Sequence, residues 1–436
     1  MKKTVSVLFA FMLLMSVKVF SQGWVYKGIF PPAPDTLRTN TGVQFVTVDP
    51  DGKIWIAPYR TSDSLFVPDS GKKFSVRPVY VYNPDGTPWD TIKAVTVGGV
   101  LHPLYNSKYG ITRDNNGNIL VDDYSDLYRI NYKTGQGMNY VSPGISALCN
   151  PAVDSSGNIY LAPVLPGYPI KIYGPDFSFI SNAVDVIDTA STYGRWMTVS
   201  PDGNTLYVAR YTDGFLRVYH RPDAFSSYAL VDTALRGIAC ESGTWDPVNG
   251  NLWLSTGNYA YNQPTGQFAG TEGTWYSFNT KTWAIEDSVK WNFFSPQDPA
   301  ERPRGIAFSN DGKDVYLACF GNSTYPPVEW FHNDSHVTGI SVEKGSNVVS
   351  HYQLSQNYPN PFNPSTEITF SVAKSGLVTL KIYDLLGRLV STLVNENKST
   401  GNYTVRFDAS RLASGTYIYQ MNVNGIVLSK KMVLLK

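Results

Sequence analysis

One fifteen-residue pattern recurs six times in the first three quarters of this 436-residue chain, and it restricts the possible folds more than any other feature. An apolar run leads into a turn ending in glycine, and a second apolar run follows with an aromatic residue near its start. The copies read FVTVDPDGKIWIAPY (45–59), GITRDNNGNILVDDY (110–124), NPAVDSSGNIYLAPV (150–164), MTVSPDGNTLYVARY (197–211), GTWDPVNGNLWLSTG (243–257) and IAFSNDGKDVYLACF (306–320). Asp-Gly or Asn-Gly between two alternating runs marks a tight β-hairpin, because these residues tolerate the positive φ that the turn demands. After the hairpin comes a third strand-like run, as in PVYVYNPDG (78–86) or FLRVYHRPD (215–223), and then a more polar fourth.

The turn glycines Gly52, Gly117, Gly157, Gly203, Gly250 and Gly312 are 65, 40, 46, 47 and 62 residues apart. A period near 40–47 is that of a four-stranded propeller blade, and the longer intervals are blades with insertions. No blade buries both faces alone, so several must pack around an axis. The sixth copy runs out after VEWFHND (328–334), while GWVYKGIF (23–30) is a strand without a partner, so residues 24–30 are expected to complete the last blade. Seven blades are the alternative, with a degenerate one inside 258–300 or 60–76. The units resemble the NHL, regucalcin-like and YVTN propellers, a resemblance that spans roughly residues 23–335 and implies a fold, not a function.

Residues 1–21 are set apart as a signal peptide. Lys2 and Lys3 precede an almost wholly apolar stretch from Val5 to Val17, which is too short to cross a bilayer before Lys18 interrupts it. Cleavage is expected after Ser21, and no later segment is long and apolar enough to span. With 36 Lys and Arg against 35 Asp and Glu, nothing suggests a nucleic-acid partner. Three cysteines, Cys149, Cys240 and Cys319, leave at least one unpaired thiol; a Cys240–Cys319 bridge stays open.

From residue 338 the texture changes. Residues 338–351 read as a polar linker between a domain at 22–337 and another at 352–436. In the latter, Pro359, Pro361 and Pro364 exclude helix, and ITFSV, LVTLKIYD, RLVSTLV, NYTVRFD, TYIYQMNV and IVLSKKMVLL alternate as the strands of a small β-sandwich of immunoglobulin-like type. The motifs NYPNPFNPST (357–366), IYDLLGRLV (382–390), LASGTYIY (412–419) and KKMVLLK (430–436) resemble the type A C-terminal sorting domain of the type IX secretion system. On that resemblance the motif residues are Pro359, Asn360, Pro361, Gly387, Gly415, Tyr417, Lys430, Lys431 and Lys436. It implies passage through the periplasm, recognition by the type IX translocon and its sorting peptidase, and release or attachment at the outer surface. Residues 353–436 hold 9 Lys and Arg against 4 Asp and Glu, whereas residues 22–352 hold 24 against 31. A basic sorting module thus follows an acidic propeller, and is expected to dock on an acidic surface.

The strong catalytic motifs are missing: no HExxH, GxSxG, Walker loop, CxxC or EF-hand loop is present. His102, His220, His332 and His336 are scattered over loops and third strands. A propeller's usual site is the mouth of its channel. Arg195, Arg236 and Arg304 precede first strands at a similar offset, and are expected there as carboxylate or phosphate binders or as partners of neighbouring carboxylates. Asp122, Asp123, Arg210, Glu241 and Asn258 are placed on the same rim. No cofactor is predicted, with a divalent cation in the channel left open. The loop 258–278, rich in Tyr, Asn, Gln and Gly, suits a sugar or a protein partner. The leading function is binding of an extracellular protein or glycan; the rival is a lactonase-, lyase- or glycan-processing-like enzyme with its site at the channel mouth.

Overall fold

The computed structural model describes residues 23–32, 42–58, 62–67, 70–185, 193–210, 213–257, 270–292, 302–320, 328–336, 352–357, 359–372, 375–399, 401–424 and 426–435. The expected signal peptide, the linker, Asn258, most of the 258–278 loop and Lys436 lie outside the described residues. The chain divides into two compact units, Met1–Thr338 and Gly339–Lys436. Among the described residues both are all-β, without an α-helix.

The first unit contains six four-stranded antiparallel sheets. Their first strands are Val43–Val48, Ile111–Arg113, Ala152–Val153, Gly194–Val199, Gly243–Trp245 and Arg302–Phe308. Each pairs through the recurring turn with a second strand, as Val43–Val48 does with Ile54–Pro58. The six turn glycines have φ between 72° and 84°, the left-handed region that costs glycine least. A side chain three or four residues earlier fixes each turn. Asp49 Oδ1 accepts the amides of Asp51 and Lys53, both at 2.9 Å, and Asp114 and Asp154 do the same in the next two copies. Ser200 and Ser309 accept an amide through their hydroxyls. The aromatic of the second run is tied to the same group: Trp55 Nε1 donates to Asp49 Oδ2 at 2.9 Å, and Trp253 Nε1 to Asp246 Oδ2 at 3.0 Å. The repeated phrase is thus a turn with its own anchor.

Successive sheets share a core. Phe45, Trp55 and Val79 of the first pack with Ile111 and Ile119 of the second. The sixth packs on the first, where Val43 and Ile56 meet Ala307, Tyr316 and Val328 together with Phe30. The fourth strand of the sixth sheet is Val25–Ile29, paired antiparallel with Val328–His332. The stretch 60–76 holds a two-stranded hairpin, Asp63–Val67 with Lys72–Val76, and 258–300 holds the third and fourth strands of the fifth sheet. All three cysteines are buried free thiols, so the disulfide left open by the sequence is not formed.

In the second unit a three-stranded sheet, Gln353–Leu354, Ser365–Val372 and Gly401–Asp408, and a four-stranded one share a single apolar core. The four-stranded sheet orders Leu389–Lys398, Gly376–Asp384, Gly415–Val423 and Ile426–Leu434.

Candidate functional site

One cavity of about 310 Å³ is lined by residues from all six first strands, so these strands are the innermost. Thr47, Thr112, Thr198 and Thr244, with Ala152 and Ala307, occupy the same position in their strands, two residues before the turn anchor. Asn150 and Ser242 also line it. Arg113 and the rings of Phe45, Trp196, Trp245 and Phe308 line it as well.

Five residues before each anchor stand Gln44, Tyr109, Cys149, Arg195, Glu241 and Arg304. In three sheets the pairing register shifts at this place, between Val43 and Phe45, Gly194 and Trp196, and Pro303 and Ile306. A bulge frees the intervening residue from the ladder and re-aims its side chain. Glu241 Oε2 lies 2.6 Å from Arg304 Nη1 and 3.3 Å from Arg195 Nε, with Glu241 and Arg304 both almost wholly buried. Asp122, on the adjoining second strand, accepts the Tyr109 amide at 2.7 Å, and burial pushes its carboxyl well above the usual carboxylate range. Burial and the nearby Asp122 push the Cys149 thiol up to about 12, against the pull of Arg195 and Arg304. Asp122, Cys149 and the Arg195–Glu241–Arg304 trio therefore interact as one buried polar layer at the first-strand end of the sheets.

Of the residues expected on a rim, Arg195, Glu241 and Arg304 lie together in this layer. Arg304 and Glu241 are packed inside as an ion pair, because two guanidinium groups and one carboxylate converge from neighbouring sheets. Arg236 is not with them: it is exposed in the turn after Ala229–Ala234, over the Phe215 ring at 5.3 Å and donating to Thr233 Oγ1 at 2.5 Å. Asp123 serves the preceding loop, accepting from Lys108 Nζ at 2.6 Å and from the amides of Asn106 and Tyr105. Arg210 ends its second strand opposite Gly194 and borders a small recess with Cys149 and Trp196. Cys149, and the Tyr109 amide that Asp122 accepts, belong to the layer without having been expected there. Counting back five places from each turn anchor would have found them.

Gln44 Oε1, Asp122 Oδ2 and Ser242 Oγ are buried without a hydrogen-bond partner among the described residues. Such orphans are uncommon in protein interiors and point to a polar guest or ordered water. No group of three or more His, Cys, Asp or Glu side chains among the described residues is arranged to hold a metal. His332 lies between Asp314 at 2.7 Å and Asp334 at 3.0 Å, and His336 packs against Asp246 at 2.9 Å, so each has its own carboxylate partners.

Residues 356–435 match the model of the secretion system C-terminal sorting domain. That domain marks proteins secreted by the type IX system to the cell surface or the extracellular space, which is where this chain is sent. No helix among the described residues is long and apolar enough to cross a membrane. The comparison with curated proteins gives no match. Among solved structures, the chain is similar to a streptogramin B lyase at 12% identity, covering 72% of this chain and 99% of that one with a TM-score of 0.42. It is also similar to virginiamycin B lyase from Staphylococcus aureus with quinupristin, at 14% identity, 71% and 99% coverage and a TM-score of 0.42. At this identity and score neither likeness says what this chain acts on.

Proposed function

We propose that the first unit is a six-bladed propeller of NHL-like repeats, closed by Val25–Ile29, and that it binds an extracellular glycan or protein after export behind an immunoglobulin-like sorting sandwich. One observation carries this reading: the central cavity is lined by threonine hydroxyls and by the orphaned Ser242 Oγ, with Arg113 and the rings of Trp196 and Trp245, whereas Glu241, Asp122 and Cys149 are not among its lining residues. Glu241 is fixed between two arginines, and burial disfavours both the Asp122 carboxylate and the Cys149 thiolate. Those locked groups suit a structural floor beneath a hydroxyl-lined recess, and a cavity of about 310 Å³ accommodates the end of a sugar chain.

The test is a glycan and protein ligand screen with metal analysis on purified residues 22–337. Saturable binding is expected, weakened about tenfold or more in Thr112→Val/Thr244→Val, since a site built around hydroxyls leaves its partner unpaired when they are removed. Turnover of a polysaccharide or lactone, or a stoichiometric divalent cation, would overturn the binding-only reading and favour the enzyme.

A further inference from the structure

The four sequence motifs of the sorting module lie far apart in the chain, yet the strand register brings them to one end of its four-stranded sheet. Asp384, at the start of the Asp-Leu-Leu-Gly-Arg turn, stands opposite Tyr417, and Gly415 stands opposite Leu434. The Pro-Asn-Pro-Phe segment is tied to the last strand there: Phe362 N donates to Val433 O at 2.9 Å, Leu435 N to Phe362 O at 3.0 Å, and Val433 N to Asn360 Oδ1 at 2.8 Å. Tyr417 closes the remaining loop by donating to Ala413 O at 2.8 Å.

That end exposes leucines that the fold does not require. Leu385 and Leu386 are 67% and 79% exposed, with Leu389 and Leu435 more than half exposed at the same end of the sheet. The turn that carries the first two is held by other atoms. Asp384 Oδ1 accepts the amides of Leu386 and Arg388 at 2.9 and 3.0 Å, Arg388 Nε reaches Asp384 Oδ2 at 2.7 Å, and Gly387 has φ of 78°. Any polar residue satisfies such a turn, so two adjacent leucines at its tip cost solvation without adding to the core. A rigid turn presenting an apolar tip has the form of an anchor for a pocket.

We propose that the Leu385–Leu386 tip, with Leu389 and Leu435, is the surface by which the type IX secretion machinery takes hold of this chain, in an apolar pocket with an acidic rim. The occupant follows from three observations. The module is a sorting domain, the exposed cation Arg388 stands in the same turn as the tip, and residues 353–436 carry 9 Lys and Arg against 4 Asp and Glu. The proposal rests on the sorting role of this module and adds the atoms that perform it.

Export of the full chain from its native cells tests this with three variants. Leu385→Ser/Leu386→Ser is expected to lower the amount outside the outer membrane about tenfold or more, since leaving one leucine unburied accounts for that much affinity, and to leave protease-resistant protein in the periplasm. Leu377→Ser/Val427→Ser, at the opposite end of the same sheet where both residues are also exposed, is expected to export normally. A chain ending at residue 351 is expected to stay inside. Normal export of the Leu385/Leu386 variant overturns the proposal, as does an equal block by the Leu377/Val427 variant or a change confined to self-association or vesicle binding. Normal export of the truncated chain instead overturns the sorting role itself.

Discussion

The two units of this chain solve the same problem, an all-β core, in opposite ways. The sorting module has one core, filled by residues such as Ile368, Leu380, Tyr419 and Met432, with buried polar side chains only at Asn357, Thr366 and Ser371 among the described residues. In the first unit the core is divided among neighbouring sheets and charged groups are buried throughout, including Asp49, Lys108, Asp122, Glu241 and Arg304. A two-sheet sandwich closes on itself and leaves its polar groups at the edges. In the first unit residues from the six first strands line one cavity, so polar groups buried beside it must satisfy one another.

If the ring depends on closure, removing residues 23–30 should have the largest effect. It deletes the strand paired with Val328–His332 and takes Phe30 and Trp24 out of the adjoining cores. The expected outcome is loss of cooperative unfolding of the first unit in a urea titration, with the sorting module's own transition unchanged. A single transition shifting as a whole would show that the two units are not independent.

Next in size is Glu241→Ala, which leaves the buried Arg304 and the nearby Arg195 without the carboxylate they share. Stripping one partner from a buried ion pair typically costs about 3–5 kcal/mol, and the loss should appear in the first transition only. A cost near zero would mean that the layer is solvated, and the contrast between the two cores would fail.

The smallest effect concerns His332, whose pKa is raised by hydrogen bonds to Asp334 and Asp314. A group raised in the folded state contributes stability that is fully present below its unfolded value of about 6.5 and is lost as the pH climbs through the folded value. His332→Gln should therefore lower the first unit's Tm slightly at pH 6 and leave it unchanged at pH 9. The pair is partly exposed, so a shift of more than a few degrees would be unexpected.

What could be read along the chain follows from the range of the interactions involved. The turn phrase is local: anchor, glycine and aromatic sit within about eight residues, so its chemistry shows in one dimension. The polar layer is not local. Arg236-Gly-Ile-Ala and Arg304-Gly-Ile-Ala are the same tetrapeptide, yet one arginine is in an exposed turn ten residues before Asp246 and the other is buried five residues before Ser309. Register relative to the turn anchor separates them, and bulges at Gln44, Arg195 and Arg304 break the alternation from which facing is normally inferred.

The sequence alone determined the hairpin turns, the strand order within each repeat and the export route, because each is written in contiguous residues. Tertiary structure alone decided that Glu241 is shared by two arginines and that Leu385 and Leu435 lie at the same end of one sheet. Those outcomes depend on which strand ends meet in space. Residues far apart in the chain become neighbours only when the sheets have closed.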